Sequence, residues 1–458
     1  MTDLPSSRRQ LLLAAAAILA GCGGSDGAGE GPTVAEFSAD RAGYFVGDRA
    51  QLRVRYAGGA GRVDPGIGSV GADATVDTGV LERSAAFRLT VTGSGRSVMR
   101  EIALPVTYRD RHRQVAQLQV AEHAAAAVDD GTVLVIGGSR AELNTPSPWI
   151  ERIDPRAGTV IRVGELAAGR QRAAATALGD GRWLLTGGFL GQWIPGRTAE
   201  LIALGADGAV LVSGAGDMSR QRLGHTATLL ADGRVLITGG FTTGEGAPAG
   251  ISYSAEIWEP ASGGFRLLPR PMATGRANHS ATRLPDGKVL IVGGYSVEGS
   301  PPLAEIFDPA TETFTSVHTP GLPSRAAHAA VTLPGGDVLV LGGENPAGTG
   351  TLASVLRFQV STGAFQPLPD LLAPRRHASA IATADGNVLL FGGAGSDEVP
   401  AVTAERYSPA QGASAVAPMT AGRLEHSAVL LRGPLAGRVL LVGGWRSDWY
   451  NPVVALYE

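Results

Sequence analysis

The chain has 458 residues, with 39 lysine or arginine residues against 42 aspartate or glutamate residues, and its formal net charge is −3 at pH 7. With a pI near 6.3 and no basic run, it lacks the positive surface that nucleic-acid binding needs. Cys22 is the single cysteine, so intramolecular disulfides are excluded and stability must come from burial, for which the length suffices for two cores.

Residues 1–22 have the pattern of a secretory signal. Arg8 and Arg9 precede an apolar run from Leu11 to Leu19, which is too short to span a membrane. Leu-Ala-Gly then leads into Cys22, and this motif resembles the bacterial lipobox. The resemblance implies that Cys22 is acylated, whereas the alternative is an ordinary signal-peptide cysteine.

The export route and the destination are also suggested by resemblance. Ser-Arg-Arg-Gln-Leu-Leu is similar to a twin-arginine signal, although a single arginine pair leaves the general secretory route open. No aspartate follows Cys22, which in bacterial lipoproteins implies sorting to the outer membrane. We therefore expect a monomeric protein of the cell envelope that meets the membrane only through a lipid anchor.

Two segments separate this signal from the rest of the chain. Residues 23–32 are rich in glycine and predict a flexible tether. Residues 33–108 contain alternating apolar and polar stretches, at 52–56, 87–91 and 102–106, between Gly-rich turns. Their size and spacing favour a small β-sandwich. It resembles the immunoglobulin-like modules of exported bacterial proteins, although neither a cysteine pair nor a strand tryptophan marks it.

Residues 109–458 contain a repeat of about fifty residues. A short apolar run that ends in two glycines occurs seven times, with the second glycine at Gly138, Gly188, Gly240, Gly294, Gly343, Gly393 and Gly444. A constant period of this length indicates one supersecondary unit whose copies pack against each other. An Asp-Gly turn such as Asp286-Gly287 separates two apolar runs in most copies and predicts a hairpin.

Four short antiparallel strands per repeat predict a blade, and seven blades predict an all-β propeller with protected sheet edges. The double glycine, with an aromatic residue in the third strand such as Phe307 or Tyr407, resembles the kelch repeat; Ile153 and Ile202 depart from it. We expect the glycine pairs to permit close approach of neighbouring blades. The last repeat stops after its third strand, so we expect residues 113–120 to supply its fourth strand and to close the ring.

The first set of candidate ligand-binding residues is aromatic. These side chains lie in or beside the variable loops between the second and third strands: Trp149, Trp193, Trp445, Trp449, Tyr450 and Tyr295. Exposed aromatic rings on one face suit a sugar or a peptide. The alternative is that several of them pack down onto the blades.

The second set is basic and lies near the axis. Arginine precedes the inner strand at Arg170, Arg222, Arg276, Arg325 and Arg423, and we expect blade six to shift it to Arg375 or Arg376. A histidine begins the inner strand in six blades: His123, His225, His279, His328, His377 and His426.

One interpretation of these sets is repeat architecture, with each arginine paired to a third-strand glutamate and each histidine bonded to a backbone group. The other is a ring of positive charge at the pore mouth that attracts a carboxylate or sulfate. We expect no metal, because inner strands of different blades stand too far apart to share one zinc-sized ion.

The favoured function is non-catalytic recognition of a glycan or a protein through the irregular loop face, without a cofactor. The alternative is a carbohydrate-active enzyme, such as a mutarotase or lyase, with its site at the pore mouth; Glu142, Glu245 and Glu298 are candidate acid–base groups. The number of domains resembles that of galactose oxidase, whose copper site uses a tyrosine crosslinked to a cysteine, a Tyr-His pair and a further histidine. That copper chemistry is excluded, because this chain has no Tyr-His dipeptide and no cysteine besides Cys22.

These functions make different structural predictions. A binding role predicts an exposed aromatic cleft. An enzyme predicts a concave pocket at the pore mouth that holds a carboxylate of shifted pKa. A purely structural part of an envelope assembly predicts buried loop aromatics.

Overall fold

The computed structural model describes residues 31–140, 145–191, 194–205, 207–243, 250–296, 303–348, 350–447 and 449–458. The signal segment with Cys22, most of the tether, Trp193, and the candidates Glu142, Glu245 and Glu298 lie outside the described residues. Among the residues that are described, no helix has the length and apolar character to cross a membrane.

Residues 33–107 form a two-sheet sandwich. Its strands are β1 (Thr33–Ala39), β2 (Tyr44–Phe45), β3 (Arg49–Ala57), β4 (Ala60–Asp64), β5 (Gly68–Val70), β6 (Asp73–Val80), β7 (Ala85–Gly93), β8 (Arg96–Leu104) and β9 (Val106–Thr107). One sheet has the order β1-β3-β6 and the other β5-β4-β7-β8, while β2 pairs in parallel with β9. Leu52 and Val54 of one sheet meet Val63 and Leu89 of the other in a shared core. An immunoglobulin-like identity for this module stays a prediction.

The strands of the first four repeats follow β10 (His112–Gln117). They are β11 (Ala124–Ala127), β12 (Val133–Ile136), β13 (Trp149–Asp154), β14 (Thr159–Glu165), β15 (Ala174–Ala177), β16 (Arg182–Thr186), β17 (Thr198–Leu204), β18 (Val210–Asp217), β19 (Thr226–Leu229), β20 (Val235–Thr238), β21 (Phe241–Thr242), β22 (Gly250–Ile251), β23 (Ala255–Glu259), β24 (Gly264–Leu267), β25 (Ser280–Arg283), β26 (Val289–Val292), β27 (Ala304–Asp308) and β28 (Thr313–Val317).

The remaining strands complete the last three repeats, in which a short 3₁₀ turn spans Gly433–Leu435. They are β29 (Ala329–Thr332), β30 (Val338–Leu341), β31 (Glu344–Asn345), β32 (Gly350–Thr351), β33 (Val355–Gln359), β34 (Ala364–Leu368), β35 (Ser379–Ala382), β36 (Val388–Phe391), β37 (Ala404–Ser408), β38 (Gly412–Val416), β39 (Ser427–Leu430), β40 (Val439–Val442), β41 (Trp445–Arg446), β42 (Trp449–Tyr450) and β43 (Val453–Tyr457).

These strands form a propeller. Between residues 112 and 458, the described chain contains seven four-stranded antiparallel sheets, which we number as blades one to seven from their inner strands β11, β15, β19, β25, β29, β35 and β39. Each inner strand contacts the next in this order, and β39 contacts β11, so the sheets surround one axis. The second strand of every blade is buried between the neighbouring sheets, apart from Arg182 at the start of β16. The predicted all-β propeller class is confirmed.

Blade seven is built from both ends of the propeller sequence. Its order is β10-β43-β40-β39, so the early strand β10 pairs with the final strand β43. Arg111 forms an ion pair with Glu458, and Tyr457 donates a hydrogen bond to Asp110 at 3.0 Å. The strand expected at 113–120 is thus found at 112–117, in the predicted sheet.

The paired glycines bring neighbouring blades together, as the sequence predicts. The N–H of the second glycine donates to a carbonyl oxygen of the next blade, as from Gly294 to Arg325 (2.8 Å) and, at the closing seam, from Gly444 to Val120 (2.9 Å). A Cβ on Gly293 would lie under 3.0 Å from the same Arg325 oxygen. Only a residue without a side chain fits this approach.

The N-terminal sandwich contacts the face of the propeller that carries the hairpin turns between first and second strands. Tyr108 donates to the carbonyl oxygen of Gly437 at 2.9 Å, and Arg83 to that of Ala384 at 3.2 Å. We call this the tight-turn face. The opposite face carries the loops between second and third strands and between blades, and we call it the irregular face. The sandwich therefore leaves the irregular face open.

Candidate functional site

The arginines before the inner strands are buried between strands rather than displayed at the pore mouth. None of Arg170, Arg222, Arg276, Arg325 and Arg423 is more than 2% exposed. Three of them pair with a third-strand glutamate of the same blade: Arg170 with Glu200, Arg222 with Glu256 and Arg276 with Glu305. Their burial favours the architectural interpretation over a positively charged ring.

Two blades depart from the arginine pattern in ways that the sequence did not resolve. In blade six, Arg375 keeps the register and pairs with Glu405, so His377 rather than the arginine is out of phase. In blade one, Val120 stands at the arginine position. Arg140, which follows the glycine pair, reaches Glu151 instead and is itself buried.

Within the described chain neither ring nitrogen of His123 has a partner. Four other histidines bond to hydroxyl groups rather than to the backbone groups expected from the sequence: His225, His279, His328 and His426. His328 Nε2 lies 2.8 Å from Ser280 Oγ of the preceding blade, and His225 Nε2 lies 2.9 Å from Thr186 Oγ1. Burial lowers the pKa of both histidines to about 3. They are neutral at pH 7 and act as links between blades.

A ring of residues in the left-handed conformation surrounds the axis on the irregular face. One residue per blade takes φ between +52° and +66°, two positions before the inner strand begins: Glu122, Arg172, Gly224, Asn278, Ala327, His377 and Glu425. The N–H of Arg172 donates to Glu122 O at 2.7 Å, and that of His377 to Ala327 O at 2.9 Å. This ring aims seven side-chain positions at the pore mouth, and such backbone strain is frequent at functional sites.

Three charged side chains of the ring and the neutral His377 form one cluster. Arg172 bridges two carboxylates, with Nε 2.7 Å from Glu122 and Nη2 2.9 Å from Glu425. Burial raises the pKa of Glu122, Arg172 opposes this, and the nearby Glu425 raises it further. Burial, with Arg376 and Arg172, lowers the pKa of His377 to about 4, so its 3.5 Å contact with Glu425 is not an ion pair at pH 7.

Two adjoining cavities, which we call the pore-mouth groove, contain this cluster. The axial cavity has a volume of about 350 Å³ and is lined by the ring and by the inner histidines. The second has about 420 Å³ and extends outward past Arg376 and Glu398 to Trp445. Glu122, Arg172, His377 and Glu425 line both cavities. A polar floor beside an aromatic wall can hydrogen-bond and stack on the same ligand.

The candidate aromatic residues occupy different positions around this groove. Trp445 is half-buried and stacks on Tyr450, with ring centroids 4.6 Å apart, while Tyr450 Oη lies 2.6 Å from Ser139 Oγ. Trp449, on the same β41–β42 hairpin, is 72% exposed. None of the described candidate aromatics is fully buried, whereas a purely structural part predicts buried loop aromatics.

The other two described aromatic candidates already have polar partners. Trp149 has the guanidinium groups of Arg140 and Arg162 at 5.1 and 4.7 Å from its ring centroid. Tyr295 Oη contacts Glu344, which also pairs with Arg376 at 3.2 Å, so Tyr295 joins the charged groups beside the groove. Ligand contact by Trp149 and Tyr295 stays a prediction.

Glu122, Arg172 and Glu425 are not among the site residues predicted from the sequence. They belong to blades one, two and seven, and they become neighbours only because the ring closes. One signal in the sequence could have found them. Each stands at the same repeat position, two residues before the inner strand, and other blades have small residues there, such as Gly224 and Ala327.

Comparisons with known proteins agree with this fold. Residues 122–166, which span blade one, match the Kelch motif family. A solved structure described as a novel fungal alcohol oxidase with catalytic diversity among the AA5 family, in complex with copper, is similar with a TM-score of 0.60 and 15% identity, over 76% of this chain and 75% of that chain. No curated protein matches the sequence. At this identity the likeness concerns the fold alone.

The copper of that oxidase has no matching ligand set in the described part of this chain. No group of three or more His, Cys, Asp or Glu side chains there is placed to hold a metal ion. The Nε2 atoms of His225 and His328, two of the inner histidines, are bonded to hydroxyl groups. The described residues therefore do not fit a copper site.

Proposed function

We propose that this kelch-type propeller is a binding protein that recognises a glycan in the pore-mouth groove. The observation that carries the proposal is that Trp445 and the Glu122–Arg172–Glu425 cluster line one continuous groove. A flat indole supports stacking on a sugar ring, while carboxylate and guanidinium groups hydrogen-bond to hydroxyls. Kelch repeats are used for binding, and the N-terminal sandwich leaves this face accessible.

The location of the protein is part of the proposal. An export signal with acylation at Cys22 would tether the sandwich to the outer membrane through residues 23–32. The groove lies on the face opposite the sandwich, so a tether at the sandwich leaves it free to meet an envelope or external glycan. Labelling with radioactive palmitate, lost in Cys22→Ser, tests the anchor.

A glycan array with the mature protein tests the ligand class, and Trp445→Ala tests the groove. We expect the variant to lose affinity by at least about tenfold, since aromatic anchors in binding sites often contribute more than 1 kcal/mol. Met99→Ala, an exposed position on the sandwich, is the matched control and keeps full affinity. Unchanged binding by the Trp445 variant, or binding to peptides and no glycan, contradicts the proposal.

A catalytic role is the second candidate, because the groove holds a carboxyl group of raised pKa. Burial raises the pKa of Glu122, and His377, which is neutral at pH 7, lines the same groove. Such a pair can donate and accept protons during sugar ring opening, as mutarotation requires.

Exchange NMR of sugar anomers, including sialic acid, separates the two roles. If the protein is a mutarotase, it accelerates anomer exchange and Glu122→Gln lowers the rate by about 100-fold or more. Glu398→Gln, on the exposed rim of the same groove, is the control. Binding without any acceleration leaves recognition as the function.

A further inference from the structure

Four blades share one carboxylate-binding arrangement. In each, the third-strand glutamate accepts hydrogen bonds from the buried arginine and from a backbone N–H three residues before that arginine. These N–H groups belong to Ala167, Ser219, Ala273 and Leu372, at 2.8, 2.6, 2.8 and 2.9 Å from Glu200, Glu256, Glu305 and Glu405. A carboxylate held by a guanidinium and a backbone N–H is thus a recurring element of this fold.

Blade seven keeps the donors of this arrangement and lacks its carboxylate. Ala455 pairs with Leu441 at the register where Glu405 pairs with Leu390 in blade six. Arg423 is fully buried, and Thr420 stands three residues before it. Replacement of glutamate by alanine removes the acceptor but leaves the cationic pocket.

The guanidinium of Arg423 is only partly satisfied. Its Nη1 donates to the carbonyl oxygens of Gly443 and Val453, at 3.4 and 3.1 Å. Within the described chain, Nε and Nη2 have no hydrogen-bond partner, and neither does the backbone N–H of Thr420. Of these three unused donors, Nη2 and the backbone N–H belong to positions that hold the carboxylate in blades two, three, four and six, and Nε does so in blades three and four.

Blade five also lacks the glutamate, but its buried arginine is not left with an unpartnered Nη2. Its equivalent of Ala455 is Leu356, a larger apolar side chain that is itself buried. Arg325 Nη2 donates to Ser354 Oγ at 3.1 Å, whereas blade seven has Val453 at the serine position. Blade seven combines a small side chain with an unsatisfied Nη2.

A buried guanidinium without an anion is energetically unfavourable, because burial removes its hydration and nothing replaces it. Burial lowers the pKa of Arg423 to about 10, so the group stays charged at pH 7. Binding of an anion would restore the charge balance that glutamate provides elsewhere. Thr420 is exposed, so this edge of the arrangement borders solvent.

We infer that blade seven binds a small carboxylate monoanion of the size of acetate, between Arg423, the Thr420 N–H and the Ala455 methyl group. Acetate has the same four heavy atoms by which a glutamate side chain exceeds that of alanine, and as a free ligand it lies at van der Waals distance from the Ala455 methyl group. The site lies inside the blade, behind the irregular face, and is separate from the pore-mouth groove.

Thermal melting of the mature protein with sodium acetate, against sodium chloride at equal ionic strength, tests the site. We expect acetate to raise the Tm of the wild type by about 2 °C or more at saturation. Ala455→Glu supplies the carboxylate covalently, so this variant should melt above the wild type in acetate-free buffer and gain nothing from acetate.

Two further variants distinguish acetate binding at Arg423 from a general effect of the salt on stability. Arg423→Met should abolish the acetate response, whereas Arg325→Met, at the matched buried arginine of blade five, should keep it. No acetate response in the wild type overturns the inference, and so does a response that persists in Ala455→Glu. If Ala455→Glu does not fold, loss of the response in Arg423→Met but not in Arg325→Met decides in favour of the site.

Discussion

At the scale of single residues, the buried ion pairs between arginine and glutamate hold the blades together from within. Arg276 and Glu305 are both fully buried, and the arginine also donates to Gly293 O at 2.8 Å. A buried pair of this kind is tolerated only while both partners are present, because either charge alone would be buried without compensation.

We predict that Arg276→Met destabilises the protein by about 3–5 kcal/mol, since it leaves Glu305 charged and unpaired. The double variant Arg276→Met with Glu305→Leu should recover much of this loss. Arg88→Gln breaks the exposed Arg88–Glu101 pair of the sandwich and serves as control, with an expected cost of about 0–1 kcal/mol. Urea unfolding measures all three. Equal costs for the buried and exposed pairs would contradict this prediction.

At the scale of elements, each blade is fixed by the dipeptide that ends its second strand. The first glycine of the pair meets the arginine carbonyl of the next blade, and the second donates a hydrogen bond to it. The close approach depends on both the missing Cβ and the positive φ, and these two contributions can be separated experimentally.

Gly293→Ala and Gly263→Ala form a matched pair, because both glycines have φ of +66°. A Cβ at Gly263 meets nothing within 4 Å, whereas one at Gly293 meets the Arg325 carbonyl. We predict a loss of about 1–2 kcal/mol for Gly263→Ala from conformational strain. Gly293→Ala should lose about 1–3 kcal/mol more from the steric overlap. Chemical denaturation checks this difference, and equal losses would refute the role of close approach.

The elements were predictable because their signals are local and repeated. Double glycines and Asp-Gly turns recur along the sequence, and the missing fourth strand of the last repeat identified β10. The site was less predictable because its residues converge from different blades. Glu122 and Glu425 are about three hundred positions apart, and no local pattern connects them before the ring closes. The buried role of Arg140 was also hidden, since it lies outside the repeat position of the other arginines.

At the scale of the whole molecule, the inner histidines make the propeller sensitive to acid. Burial lowers the pKa of His123, His225 and His328 to about 3, against about 6.5 in an unfolded chain. A histidine whose pKa is lower in the folded protein than in the unfolded chain stabilises the fold fully above pH 6.5. This stabilisation is lost as the pH falls from 6.5 toward 3, because the unfolded chain binds protons in this range and the folded protein does not.

We predict that stability decreases steeply from pH 6.5 to pH 4, by about 1.4 kcal/mol per pH unit for each such histidine. His328→Gln should reduce this slope by about 1.4 kcal/mol per pH unit, which is the contribution of one buried histidine. His318→Gln, at an exposed position, should leave the slope unchanged. Denaturation midpoints measured between pH 8 and pH 4 provide the test. A flat profile would show that the histidines are not buried as neutral groups.

The seam in blade seven makes the propeller a closed circle in topological terms. Arg111 and Glu458 are neighbours, so the start and the finish of residues 111–458 could be joined by a few amino acids without moving a strand. New ends could then be opened at a hairpin such as Asp286-Gly287, on a surface turn where cuts are tolerated. A circular permutant made in this way would keep all blades and would have its chain ends at the chosen hairpin instead of in blade seven.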